Sequence, residues 1–442
     1  MKEKEHKMGW EGYLVLYVAL IISMLVGGVW IGTAMGLTGL IGISLLSGTS
    51  LWQSLGDILW NISNSFELTA VPLFVLMGEI ILRSGISNRF YAGISYWLRP
   101  IPGGLAHSNI VGCAIFAAIS GSSTATALTI GTVALPEMRA RGYDDKFLMG
   151  SLAAGGCLGI LIPPSIVMII YGSMVQQSIA DLFMAGVIPG ILITILFMIY
   201  LFFRALLNPR LAPKESAESD RKKMFVGLLD CWPIFALMGF VLGGIYFGIV
   251  TPTEAAGIGC AAALGISLLY REISWTSFKE AISNAVAANC MVMFIIIGAQ
   301  ILTFAVVNAN IARELSAFLV QSPLEKWQFF FLICAMYAVM GCLIDGISMM
   351  LLTLPILYPT VEAMGFNGVW FAVVLVIMIE VGQITPPMGL NLVAIHSISG
   401  GRPLSDVAKG SLPYVGILSI VVALLYLFPD IALWLPNTMG KN

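Results

Sequence analysis

Residues 155–165 read Gly155-Gly156-Cys157-Leu-Gly159-Ile-Leu-Ile-Pro163-Pro164-Ser165, and residues 380–391 read Glu380-Val-Gly382-Gln383-Ile-Thr385-Pro386-Pro387-Met-Gly389-Leu-Asn391. Both stretches sit in apolar sequence, and neither can be one continuous helix. A Pro-Pro pair removes two amide donors and disfavours helix at the residue before it. In lipid the carbonyls so released must find partners. A broken helix is therefore tolerated only where protein or a water-lined cavity surrounds it. Unwound backbone offers carbonyl oxygens to a cation, and half-helix N-termini offer amides to an anion. A simple proline kink accounts for either break alone. Two breaks at matched positions point to a binding site.

The composition around them is that of a membrane protein. The chain has 442 residues, 58% hydrophobic and only 10% charged, against roughly 25% charged in an ordinary soluble protein. Mean hydropathy is +0.93. No water-soluble fold of this size hides so much apolar surface. A cytosolic enzyme, a nucleic-acid binder and a disordered chain are excluded. The net charge of −2, from 22 basic and 24 acidic residues, gives no polybasic character. The apolar runs have helical length, unlike the ~10-residue alternating strands of an outer-membrane barrel. At ~20 residues per span there is room for ten or more membrane helices. The seven cysteines follow no ligand spacing and read as small core hydrophobes; Cys157 and Cys342 have no assignable role. The N-terminal apolar run reads as an uncleaved first helix rather than a signal peptide.

One long hydrophilic segment, Arg204–Lys223, carries six of the basic residues and reads as a cytoplasmic linker by the positive-inside bias. It divides the chain into a first membrane repeat (1–203), a linker (204–223) and a second membrane repeat (224–442). Similar segments recur in register across it. Gly27–Gly32 lines up with Gly243–Gly248 at an offset of 216, and Phe74–Leu82 with Phe294–Leu302 at 220. Pro136 lines up with Pro359, and Pro163-Pro164 with Pro386-Pro387, both at 223. An internal repeat in a polytopic protein is a transporter signature; spacing alone does not separate parallel from inverted repeats. Each half also holds an amphipathic stretch, Asn88–Pro100 and Asn308–Val320, suited to the membrane surface.

Upstream of each break lies a second unusual segment. Ile119–Thr126 clusters five hydroxyls around Gly121, and Gly341–Ser348 carries Asp345. At the 223 offset Ser122 falls opposite Asp345. Both read as tips of re-entrant hairpins, although hydroxyls in membrane helices often only bond back to the preceding turn. An ionised group at membrane depth is expensive and usually functional, which marks Asp345 as the charged cation-site candidate. Glu380 is a ligand, a proton site or an interfacial anchor. Glu254, after Thr251 and Pro252, starts a helix. Arg139, Arg141, Asp144, Asp145 and Lys146 read as a solvated loop that sets topology.

Taken together these segments resemble the large membrane subunit of tripartite ATP-independent periplasmic (TRAP) transporters. The residues that carry the resemblance are SGSSTAT (120–126), PEMRARGYD (136–144), GCLGILIPPSIVMIIYG (156–172), TPTEAAG (251–257) and TPPMGLNL (385–392). The resemblance spans about residues 10–435 and implies an all-α polytopic membrane fold. Its two inverted repeats would each hold a re-entrant hairpin and a Pro-Pro-broken helix, arranged as scaffold and transport domains of an elevator. It implies Na⁺ as coupling ion, a periplasmic substrate-binding protein that delivers a small organic anion (a dicarboxylate, keto acid, sugar acid or sialic acid), and a small four-helix membrane subunit. The motifs start close to the first residue, so that subunit is expected as a separate chain. The location implied is a bacterial or archaeal inner membrane.

Carried onto this sequence, a first Na⁺ site would draw on Ser120, Ser122, Thr124, Gly159, Pro163 and Pro164. A second would draw on Gly341, Asp345, Gly382, Thr385, Pro386 and Asn391. The organic anion would meet Ser122, Ser123, Ser165, Gly346, Thr385 and Asn391, with Glu380 as a possible coupling carboxylate. Hard cations want oxygen ligands, and both regions supply them. No Walker-type motif is present, so the chain is expected to hydrolyse no nucleotide and to be no enzyme. The alternatives are a single-component Na⁺/organic-anion symporter or Na⁺/H⁺ antiporter, a plain channel, and an intramembrane hydrolase using Ser122 or Ser123 with His107.

Overall fold

The computed structural model describes residues 9–46, 49–213 and 221–439, and these are helical with no strand. The first ten helices are α1 (Trp10–Val26), α2 (Ile31–Leu46), α3 (Thr49–Ser63), α4 (Ala70–Arg83), α5 (Ile86–Leu98), α6 (Leu105–Ser120), α7 (Ser123–Ala140), α8 (Asp145–Gly156), α9 (Ile166–Val175) and α10 (Ile179–Leu207). Then follow α11 (Arg221–Tyr246), α12 (Pro252–Leu269), α13 (Trp275–Asn308), α14 (Ile311–Gln321), α15 (Lys326–Gly341), α16 (Gly346–Ala363), α17 (Gly368–Gln383), α18 (Leu390–Ser397), α19 (Leu404–Leu427) and α20 (Asp430–Thr438). Residues 214–220 of the expected linker lie outside the described residues.

Among the described residues six helices are long and apolar enough to cross a membrane, or seven spans if the pair Trp52–Ser63 and Glu67–Arg83, bent by 51°, counts as one. This is fewer than the ten or more for which the apolar content leaves room. The difference lies in six shorter apolar helices of 10–17 residues. Four of them, α6, α9, α15 and α17, flank the turns and breaks that interrupt the chain.

Local chemistry sets the helix starts. Asp144 caps α8 by accepting from Phe147 N at 2.9 Å, and Ser178 caps α10 by accepting from Asp181 N at 3.2 Å. Each satisfies an amide that has no partner inside its helix. Thr251 and Glu254 form a reciprocal capping box at α12, as the sequence leads one to expect: Thr251 Oγ1 accepts from Glu254 N at 3.3 Å, and Glu254 Oε2 accepts from Thr251 N at 2.8 Å. The two amphipathic stretches form α5 and α14.

The Arg139–Lys146 segment runs from the end of α7 through a turn at 141–144 into the start of α8, and its charges are ion-paired as well as solvated. Asp145, whose side chain is 18% exposed, meets Arg139 Nε and Arg402 Nη2, each at 2.6 Å. Arg141 meets Glu137 at 2.7 Å, and Lys146 meets Asp406 at 3.5 Å. The start of α19 and the turn before it supply Asp406 and Arg402, partners more than 250 residues away in sequence.

The chain divides into two compact units. One comprises Met1–Ser65, Ala288–Cys334 and Ile347–Phe371; the other comprises Phe66–Ala287, Ala335–Gly346 and Ala372–Asn442. In the first, α2 crosses α13 where Gly32 meets Gly298, leaving no room for a side chain on either. Phe366 and Trp370 stack at 5.3 Å, and Lys326 Nζ sits 4.3 Å from the Phe366 ring centroid. In the second, α4 packs on α12, α5 on α11, and α8 on α19. Helices in lipid gain little from burying apolar surface against each other, so close backbone approach through small residues carries the packing. At the α8–α19 crossing a Cβ added to Gly150 would collide with Gly410, and one added to Gly410 would collide with the Lys146 carbonyl. Gly410→Ala is therefore expected to cost about 1–3 kcal/mol and to lower the melting temperature of the detergent-purified protein by several degrees. An unchanged melt would show that this crossing does not limit stability.

Candidate functional site

The first tip is built around Ser120, Gly121 and Ser122. α6 ends at Ser120, and Gly121 then takes a left-handed conformation (φ 59°) that lets the chain reverse at once into α7. Ser122 caps α7, its hydroxyl accepting from Ala125 N at 3.4 Å. Ser120 Oγ and Thr126 Oγ1 are 2.7 Å apart, and Ser120 donates to the Ser122 carbonyl at 3.3 Å. Thr124 stands half-buried in the first turn of α7.

This tip rests on the first break. α8 passes into a short 3₁₀ turn, Cys157–Ile160, and the chain is then irregular until α9. The Pro163–Pro164 bond is cis. Neither proline has an N–H for the carbonyl four residues earlier, so Gly159 and Ile160 lose their helical donors. Ser165 takes over one of them: its hydroxyl donates to Ile160 O at 2.5 Å while it caps α9 by accepting from Met168 N at 3.4 Å. Gly159 faces the tip backbone directly, since an added Cβ would lie 2.6 Å from Ser123 Cα and 2.7 Å from Ser122 O. A Cβ on Gly121 would lie 3.2 Å from Pro164 O. The residues expected to form a first cation site thus include two backbone contacts, Gly159 with Ser122 and Ser123, and Gly121 with Pro164.

The second tip and break follow the same order. α15 ends at Gly341, a turn covers residues 342–345, and Asp345 directly precedes α16, as Ser122 precedes α7. Gly341 and Gly382 cross with no room for a side chain on either. Gly346 lies against α17, where an added Cβ would be 3.2 Å from Gln383 Nε2. The chain is non-helical from 384 to 389, the Pro386–Pro387 bond is cis, and Thr385 Oγ1 donates to Val381 O at 2.6 Å. The two breaks differ in cover. Pro163, Pro164 and Ser165 are buried, whereas Pro386, Pro387 and Met388 are exposed.

Asn391 lies in the first turn of α18. It is fully buried against the first half, with Nδ2 3.7 Å from Cys157 Sγ, and a Cβ on Gly156 would be 3.3 Å from it. Cys157 Sγ also lies 3.8 Å from the Glu380 carbonyl. Glu380 is 1% exposed, which rules out an interfacial anchor. Its Oε1 accepts from Ser123 Oγ. Cys157 and the Ser123–Glu380 bond were invisible to sequence reading, because their partners lie more than 220 residues apart. Of the residues expected to meet an organic anion, Ser123, Ser165, Gly346 and Asn391 are buried, and Ser122 and Thr385 are partly accessible.

The hydrolase alternative finds no support in this geometry. His107 Nε2 lies 2.8 Å from Pro102 O, and the Ser123 hydroxyl is engaged by Glu380. A cavity of about 370 Å³ lies elsewhere in this unit, lined by Arg99, Pro102, Gly103, Ala205, Leu206 and Pro213 among others, and none of the expected site residues lines it.

Comparison with known proteins agrees with the resemblance. The profile described as "Tripartite ATP-independent periplasmic transporter, DctM component" matches residues 18–431. The chain is 32% identical to the C4-dicarboxylate TRAP transporter large permease protein DctM of Pseudomonas aeruginosa, over 92% of this chain and 95% of that one. It is 33% identical to the ectoine TRAP transporter large permease protein TeaC of Halomonas elongata, over 84% and 86%. Its fold is similar to the crystal structure of the Alcanivorax borkumensis YdaH transporter, with a TM-score of 0.58 at 13% identity over 89% of this chain and 90% of that one. With the match running through both tips and both Pro-Pro breaks, the chain belongs to the DctM family, the large permease component of TRAP transporters.

Proposed function

We propose that this chain is the permease of a Na⁺-coupled importer of small organic anions, supplied by a periplasmic binding protein and completed by a separate small four-helix membrane subunit in a bacterial inner membrane. The observation that carries the reading is the seating of each hairpin tip on a Pro-Pro break within one compact unit, by Gly159 against Ser122 and Ser123 and by Gly341 against Gly382. The large-permease relatives named for C4-dicarboxylate and ectoine support transport of small organic acids.

The donor set suits Na⁺, a hard cation that takes oxygen ligands. At the first site Ser120, Ser122 and Thr124 offer hydroxyls, and Gly159, Pro163 and Pro164 offer carbonyls. Ser120 is held by its bonds to Thr126 and to the Ser122 backbone, which fixes its hydroxyl at the tip. At the second site Asp345 supplies charge, with the backbone of Gly341, Gly382 and Pro386 and the Thr385 hydroxyl around it. The anion meets Ser122 and Thr385 and the amides that open α7. The buried members, Ser123, Ser165, Gly346 and Asn391, hold that backbone in place.

Two repeats are supported by the equal spacing of equivalent helix starts: α7 and α16 begin 223 residues apart, and so do α8 and α17. We read them as inverted, with the tips and breaks moving as one body in an elevator cycle. Differential binding of the ion and solute drives the movement, with no nucleotide hydrolysis.

Uptake into proteoliposomes with a panel of organic acids tests this. Import is expected to need both an inward Na⁺ gradient and the binding protein. Import without the binding protein would instead favour a single-component symporter. Asp345→Asn is expected to raise the Na⁺ concentration for half-maximal uptake roughly tenfold, the equivalent of one charge-assisted contact; unchanged Na⁺ dependence would remove Asp345 from the site. Gly159→Val is expected to push the first tip off its break and abolish coupled uptake in protein that still folds. A fully active Gly159→Val would show that this seating is not required.

A further inference from the structure

Glu380 presents a problem that the two expected sites do not solve. Its carboxyl is 1% exposed, and among the described residues no basic side chain pairs with it. Oε1 accepts from Ser123 Oγ, but Oε2 has no hydrogen-bond partner. A second buried oxygen is in the same state: Asn391, 0% exposed, has no partner for Oδ1. The two residues flank one side chain, Cys157, whose Sγ is 3.8 Å from the Glu380 carbonyl and 3.7 Å from Asn391 Nδ2. Ser123 closes the group, because a Cβ on Gly156 would lie 3.1 Å from Ser123 O and 3.3 Å from Asn391 Nδ2.

A buried charge persists only when it is paired or coordinates a metal, and at membrane depth the cost of leaving it bare is higher still. A proton on Oε2 would neutralise the carboxyl but can be shared with one acceptor at most. A hard cation behaves differently, since one ion is met by several oxygens at once. Carboxylate, amide and hydroxyl oxygens are its ligands by type.

We propose that Glu380, with Asn391 Oδ1 and the Ser123 hydroxyl oxygen, forms a further monovalent-cation site, distinct from the two tip-and-break sites. Identification of the ion as Na⁺ rests on the coupling ion proposed above; the site itself rests on the buried oxygens. Its ligands come from the start of α7, the end of α17 and the start of α18. An ion there ties the first tip to the second broken helix, so its binding orders both solute-facing ends together.

The test measures binding rather than transport. Equilibrium ²²Na⁺ binding to the purified chain with its small subunit is counted in detergent, with no solute and no binding protein. Glu380→Gln, which keeps the shape and the Ser123 bond, is expected to bind one ion fewer per chain. Asn391→Ala is expected to weaken one class of ions about tenfold. An unchanged ion count and affinity in Glu380→Gln overturns the proposal. So does an unchanged count accompanied by an altered pH dependence, which assigns a proton instead. Should Glu380→Gln fail to fold, the unsubstituted protein decides. With Tl⁺ in place of Na⁺, density beside Glu380 supports the site, and density at the tips alone overturns it. A chain that binds this ion but imports no organic acid leaves the site standing while the transport reading falls. Import with no ion at Glu380 does the reverse.

Discussion

A carbonyl at membrane depth that has lost its helical amide must be met by something other than water. Each Pro-Pro pair creates that need twice, and the surrounding structure answers it. At the first break Ser165 turns its hydroxyl back onto Ile160 O, and a hairpin tip is laid across Gly159. At the second, Thr385 N is redirected to Gly382 O at 3.1 Å while the Thr385 hydroxyl bonds back to Val381 O, and Gly341 lies across Gly382. The glycines follow from this need: backbone can only cover backbone where no Cβ intervenes. The turn geometry of the tips follows in turn, because Gly121 must reverse the chain within one residue to bring Ser122 and Ser123 onto Gly159.

The two breaks solve the same problem with different cover. The first is closed by α10, whose Gly186 and Gly190 approach so near that an added Cβ would lie 2.5 Å from Leu161 O and 2.6 Å from Ile162 Cγ1. The second leaves Pro386, Pro387 and Met388 exposed. The halves are also tied directly. Ser123 of the first tip donates to Glu380 in the second half, and Asn391 reaches back to Cys157. A carboxylate placed at such a junction ties the first tip to the second broken helix.

Much of the site was legible in the chain because it is local chemistry. Proline pairs break helices wherever they fall, glycine amid hydroxyls marks a turn, and Thr251-Pro252-Thr253-Glu254 contains its own capping box. The placement of Ser122 and Asp345 directly before α7 and α16 follows from the same register. Other features were not legible. The charges at 139–146 look like a solvated loop until Arg402 and Asp406 fold over them. The apolar content left room for ten or more spans because hydrophobicity does not distinguish a full crossing from the short arms of a hairpin.

The sequence by itself determined a polytopic helical membrane protein, the positions at which its helices break and turn, and the family of transporter permeases it belongs to. These depend on solvent and on neighbours a few residues away. The tertiary structure alone decided which oxygens share a space. It put Asn391 beside Cys157, it made Glu380 an interior group with no counter-charge among the described residues, and it covered one break while leaving the other open. Burial and long-range pairing arise from helices that meet after more than 200 residues of intervening chain, and no local spacing encodes where those helices cross.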